Sequence, residues 1–156
     1  MLAQETKIVQ GLLSTGLTTT GNGDWVNLGK YHHFTAIVDL HSTAGSATVR
    51  LQKATSSTGG GSTNVTNFLC WYNKNTTGGD TLTANGVSTG AVTISTGTAY
   101  DKMAVLEVDS SDIQGTAADY DFVRAVVYST AAACTSVSYV LSDARYADAV
   151  PPTAIS

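Results

Sequence analysis

Charge is scarce in this chain. Asp, Glu, Lys and Arg make up 13% of its 156 residues, about half the usual share of a soluble domain. Eight Lys and Arg stand against twelve Asp and Glu, for a net charge of −4. The few basic residues are scattered and nowhere interleave with aromatics. A nucleic-acid binder needs clustered Lys and Arg to neutralise phosphates, so nucleic acid is excluded as a partner. Long apolar runs are also missing. No segment approaches the roughly 18 consecutive apolar residues of a membrane-spanning helix, and no membrane partner is expected. The opening "MLAQETKIVQG" has neither a basic leader nor a long apolar stretch, so it does not read as a secretory signal. The expectation is a protein made in the cytoplasm that reaches the outside as part of a larger particle.

Cysteine is nearly absent. Cys70 and Cys134 are the two in the chain; they permit one disulfide, match no zinc or redox spacing, and are expected as buried small hydrophobes. The sequons at Asn64 and Asn75 carry little weight without secretion in a chain so rich in threonine.

Signatures of catalysis are lacking too. No "GxSxG" elbow is present. The glycine-rich "TGGGST" lacks the "GK[ST]" ending that holds a terminal phosphate and Mg²⁺. Cys134 has no His, Lys or Arg near it in sequence to favour the thiolate. His32 and His33 are adjacent in a strand and point to opposite faces, while Asp39 and His41 share a face but make only two ligands. Glu107, Asp109 and Asp112, then Asp119 and Asp121, form acidic groups without the ligand order of a calcium loop, and read as solvated loops. No enzyme, no metal and no cofactor are expected.

What the chain has in quantity is turn chemistry and strand formers. Hydrophobic residues reach 42%, enough for a core, and threonine's branched side chain suits a pleated surface. Strands are expected near 6–13, 24–29, 32–40, 46–54, 65–73, 91–95, 101–109, 119–129 and 134–142. Between them lie "TTTGNGD", "SSTGGGSTN", "NTTGGDT" and "ANGVSTG", rich in residues that tolerate turns and positive φ. "DSSDIQ" fits one short helical turn capped by Asp109 or Ser110. Many short strands at regular spacing predict an all-β fold: a single antiparallel, jelly-roll-like β-sandwich over residues 1–156.

The strands differ in pattern. "HHFTAIVDL" alternates cleanly, with Phe34, Ala36, Val38 and Leu40 inward; "TSVSYVLS" does the same with Val137, Tyr139 and Leu141. Two others are apolar on both sides. "VTNFLCWYN" sets Phe68, Cys70 and Tyr72 against Leu69 and Trp71. "YDFVRAVVYS" sets Phe122, Val126 and Tyr128 against Val123, Ala125 and Val127, with Arg124 on the first side and expected in a salt bridge or on a backbone carbonyl. A sandwich has one core, so a second apolar face needs a second cover: a loop of the same chain or another subunit. The outer faces of these two strands are the interface candidates, represented by Leu69, Trp71, Val123 and Val127. Arg145 and Tyr146, in "LSDARYADAVPP", either cap the sheet end or belong to a contact arm. Residues 1–5 and 147–156 are read as such arms.

The C-terminal third, "YDFVRAVV" (Tyr120 to Val127), a small-residue loop, and "VSYVLSDARY" (Val137 to Tyr146), resembles small β-rich virion proteins of tailed bacteriophages that are associated with the head. Ala144 stands where many such proteins have proline. The resemblance spans about 30 residues and has no catalytic signature. It implies a capsid cement, or decoration, protein: a homotrimer on the outer capsid surface that bridges major capsid protein subunits. Leu69, Trp71, Val123 and Val127 would then make the trimer contact, with Arg145 and Tyr146 reaching the capsid. Other readings stay open at this point. The chain fits another virion component (head spike base, connector or tail protein). It also fits a carbohydrate-binding β-sandwich that stacks sugars on Trp25, Trp71 or Tyr72, or a hydrolase assembled from distant residues.

Overall fold

The computed structural model describes residues 6–17, 20–114, 119–129 and 133–144. The two proposed arms, and Arg145 and Tyr146 with them, lie outside the described residues. In chain order the elements are β1 (Thr6–Leu17), β2 (Thr20–Asn22), β3 (Val26–Asn27), β4 (Tyr31–Ala54), β5 (Thr63–Asn64) and β6 (Phe68–Asn73). They continue with β7 (Thr83–Ser88), β8 (Val92–Asp109), the one-turn helix α1 (Ser110–Ile113), β9 (Phe122–Ser129) and β10 (Ala133–Ala144).

The strands form an all-β, antiparallel sandwich, as the spacing of turns predicts. One layer runs β1-β10-β4-β8-β6-β7. It uses the first half of β4, where Phe34 pairs with Val108, and the second half of β8. The other layer uses the remaining halves: Val49 of β4 faces Val92 of β8 on one side and Val127 of β9 on the other. Short β2 and β3 then pair with the far side of β9. The expected strands at 32–40 and 46–54 are thus one element, as are those at 91–95 and 101–109. The sequence break "HSTAGSA" is a bulge within β4. Register shifts between Leu40 and Gly45, and Gly45 takes φ 85°, a region that costs glycine little and lets the strand turn from one layer into the next.

The core lies between the layers. Phe34, Ala36, Val38 and Leu40 from β4 are buried with Val137, Tyr139 and Leu141 from β10, as alternation predicts. Each large aliphatic side chain buried there contributes about 1.5–3 kcal/mol. Tyr139 reaches across from one layer to the other: its hydroxyl accepts a hydrogen bond from the backbone N–H of Ala125 at 3.0 Å, and its ring lies 5.0 Å from that of Phe34. Burial pushes its pKa well up. Room for the ring depends on two glycines. A Cβ at Gly11 would overlap carbons of the Tyr139 ring, and one at Gly23 would overlap its hydroxyl.

Three local expectations need correction. β7 occupies the stretch read as the turn "ANGVSTG". Among the described strands it pairs only with β6, all its residues but Ser88 are exposed, and Gly86 (φ 73°) sits opposite Cys70 at a register shift. An edge strand with little burial has no alternation to betray it. α1 forms where "DSSDIQ" predicts it, but the Asp109 side chain makes no capping bond. It is engaged instead by His33 Nδ1 at 2.7 Å. Cys134 is exposed rather than buried, and neither it nor Cys70 is in a disulfide.

Candidate functional site: two unlike outer faces

Each layer of the sandwich presents one face outward, and the two differ in chemistry. On the six-stranded layer, the register carries Ser138, Ile37, Val105, Trp71 and Ala84 across β10, β4, β8, β6 and β7 in one row. The next row runs Ile8, Val140, Thr35, Glu107, Leu69 and Val87, beginning on β1. Leu69 is 43% exposed, Trp71 38% and Val87 64%. Side by side they make an apolar strip that no part of the described chain covers. This is the surface expected from "NFLCWYN".

Acid surrounds the strip. The Nδ1–H of His33 donates to Asp109 Oδ1 at 2.7 Å, and its Nε2 lies 4.0 Å from Glu107 Oε1. At the other end of the same strands His41 lies 3.7 Å from Asp101, with Asp39 on the same face of β4. Burial raises the Asp39 pKa, and His41 pulls it back down. No outward strand position of this face carries Lys or Arg.

The opposite face is built from the second half of β4 and from β8, β9 and β2. Here the sequence reading of β9 is corrected. Val123 and Val127 are fully buried in the core, because β9 pairs with β4 so that they meet the inward faces around Val49 and Leu51. They are therefore not surface contacts. The outward side is Phe122, Arg124, Val126 and Tyr128. Arg124 makes no salt bridge among the described residues; its Nε and Nη2 donate to Gln52 Oε1 at 3.1 and 2.8 Å. Its guanidinium also stacks 4.4 Å from the Trp25 ring. A planar fork satisfied by a neutral amide and an aromatic face stays charged without needing a buried carboxylate. Val126, between Arg50 and Asn22, is only 2% exposed, whereas Tyr128 is 45% exposed. Thr20, Thr48, Arg50, Val126 and Tyr128 line an open hollow of about 240 Å³. No outward strand position of this face is acidic.

Of the six predicted contact residues, the structure brings Leu69 and Trp71 together on one open face and places Val123 and Val127 inside. Sequence reasoning passed over Val87, Val105 and Arg50, and it took the side of β9 opposite Tyr128 as the outer one. Ile37 was legible as outward from alternation, but only strand order reveals that it lies beside Val105 and Trp71. The topology also sets His41 directly opposite Cys134 on the neighbouring strand, with Asp101 beyond it, an adjacency invisible in the sequence. Among the described residues no group of three or more His, Cys, Asp or Glu side chains is arranged to hold a metal ion, and no helix is long and apolar enough to cross a membrane. As a sugar platform the aromatics are poorly grouped: Trp71 faces outward, Tyr72 packs toward the core, and Trp25 stacks against Arg124.

The fold thus defines an antiparallel β-sandwich with one open apolar face. No family model matches the chain, and no curated protein matches it. Among solved structures it is similar to the SPBc2 prophage-derived protein YomS, at 13% identity over 88% of this chain and 94% of that one, with a TM-score of 0.45. It is also similar to a Bacillus endospore appendage protein of the disulfide-linked pili, at 12% identity over 91% and 94% of the two chains, with a TM-score of 0.37. A third is PirA, at 10% identity over 88% and 93%, with a TM-score of 0.31. Identity at this level carries no residue-by-residue correspondence.

Proposed function

We propose that the chain is a structural protein of a virus particle and, more narrowly, a cement or decoration protein of a tailed-phage head. In this reading it is a homotrimer on the outer capsid surface that bridges neighbouring major capsid protein subunits. The observation that carries the reading is the uncovered strip of Leu69, Trp71, Val87 and Val105 on a sheet face. Apolar groups set side by side on a soluble sheet invite aggregation unless something covers them. The resemblance of "YDFVRAVV" and "VSYVLSDARY" to head-associated virion proteins supports the same reading, and the tail at Arg145 and Tyr146 is the segment proposed to reach the capsid.

The mechanism is one of summed contacts. A trimer that touches several capsid subunits holds its second and third contacts at high effective concentration once the first has formed. Individually weak contacts then give firm attachment without any catalytic step.

Two measurements test this. Light scattering of the purified chain is expected to give three times the monomer mass. Heads assembled without the protein are expected to bind it in co-sedimentation and to resist heat better afterwards. A stable monomer that does not bind heads would remove the proposal; saturable glycan binding by such a monomer would favour the carbohydrate-binding alternative.

A further inference from the structure

The two outer faces are complementary to each other, and we propose that they are the two halves of one contact between copies. The acid-rimmed strip of one copy, with Trp71 and Leu69 at its centre, covers the Arg50 hollow of the next. The inference rests on the self-assembly reading above and adds which surface meets which.

Three observations carry it. The first is charge. Asp39, Glu107 and Asp109 lie on the strip face, where no outward strand position among the described residues carries Lys or Arg. Arg50 and Arg124 lie on the opposite face without a compensating Asp or Glu. A symmetric contact of the strip with itself would bring carboxylates against carboxylates, which disfavours association, whereas strip against hollow brings unlike charges together.

The second is occupancy. Arg124 is engaged by Gln52 and Trp25, but Arg50 has no hydrogen-bond or ion-pair partner among the described residues. It borders the hollow with the half-exposed Tyr128. The third is shape and chemistry. The hollow of about 240 Å³ offers an aliphatic floor at Val126, an aromatic wall and a cation, a setting suited to an indole. The chain already uses an arginine against a tryptophan on this same face, at Arg124 and Trp25. Trp and Arg seated in a concave site are the residues that dominate association energies. Because each copy has both halves, association is head-to-tail, and it continues until it closes into a ring or is stopped.

A capping experiment tests this. Trp71→Asp disables the strip and Arg50→Glu disables the hollow, so each variant alone is expected to lose association by at least about 30-fold in Kd. Mixed in equal amounts, they are expected to form a one-to-one dimer that grows no further, since Arg50→Glu supplies an intact strip and Trp71→Asp an intact hollow. Native mass spectrometry reads both outcomes. Circular dichroism melts confirm that each variant is folded, and Leu69→Lys serves as a second strip variant. If Arg50→Glu assembles like the unaltered chain while Trp71→Asp does not, the strip is used but the hollow is not, and the inference is overturned with the self-assembly reading intact. If the unaltered chain stays monomeric at tens of micromolar and on heads, the self-assembly reading itself falls.

Discussion

Strands β6 and β9 have the same pattern in sequence and different fates in the fold. Both carry apolar residues at successive positions, so both need cover on two sides. β9 lies inside its layer, flanked by β4 and by β2 and β3. Its outer side is largely closed by the chain: Val126 is sealed between neighbours, and Arg124 is held by Gln52 and Trp25. β6 is one strand from an edge, with only the exposed β7 beyond it, and its outer side stays open at Leu69 and Trp71. Two apolar faces therefore mean two things. In one strand they record self-cover by Trp25 and Arg124 that leaves only the hollow beside Tyr128 open; in the other they leave a whole strip uncovered.

The strongest way to break this contrast is to place the same charge on each strand. Val127→Asp puts a carboxylate into the core side of β9, which costs about 4–5 kcal/mol or more. Against a total stability of about 5–15 kcal/mol, that is enough to unfold most molecules or leave them marginal. Trp71→Asp on the outer side of β6 is expected to cost about 1–2 kcal/mol of stability while weakening self-association by at least about 30-fold. Urea denaturation and light scattering on the same samples separate the two effects. Equal unfolding by both variants would show that β6 is as enclosed as β9. Thr35→Ser, a polar exchange on the same outer face, is expected to be nearly neutral in both assays.

Next in size is the link between layers. Tyr139→Phe leaves the Ala125 N–H without its acceptor in a buried setting, a loss of about 1–3 kcal/mol. Gly23→Ala should destabilise as well, because its methyl overlaps the Tyr139 hydroxyl, and combining it with Tyr139→Phe should partly relieve that overlap. Additive losses in urea titrations would refute the assigned contact. A smaller effect is expected for Arg124→Ala. Removing the stack on Trp25 and the fork on Gln52 costs about 1–2 kcal/mol and raises the fluorescence exposure of Trp25 to quenchers. If quenching does not change, self-cover of β9 by Arg124 is wrong.

How much of this was readable beforehand follows from which forces are local. Alternation alone identifies the inward sets of Phe34 to Leu40 and Val137 to Leu141, because one wet face and one dry face leave a period of two in the sequence. It fails for Val123 and Val127. When both sides of a strand are apolar, the pattern has no sign, and only pairing with β4 decides which side is the core. It fails for β7, whose exposure gives it no pattern. It also fails for the strip itself: Ile37, Val105 and Trp71 are each at least 34 positions apart along the chain, and strand order alone brings them into one row. The same is true of Arg50, an unremarkable charge in "TVRLQ" until its neighbours across the sheet are known.

The smallest perturbation sharpens the comparison from inside β6. Cys70 lies between Leu69 and Trp71 in sequence but faces the core, where it is buried and its thiol pKa is pushed up to about 11 by loss of solvent. Cys134 is exposed at the start of β10. A thiolate is the reacting form, so reaction needs both access and ionisation, and Cys70 has neither at neutral pH. Native protein at pH 7.5 is expected to titrate one thiol with an aromatic disulfide reagent, the second appearing only in urea. Cys134→Ser should then leave a native protein that does not react, with unchanged stability. Rapid reaction of Cys70 in that variant would mean that β6 opens readily from the layer beneath it. Its outer strip would then belong to a mobile strand, no longer a fixed surface on which a partner can seat.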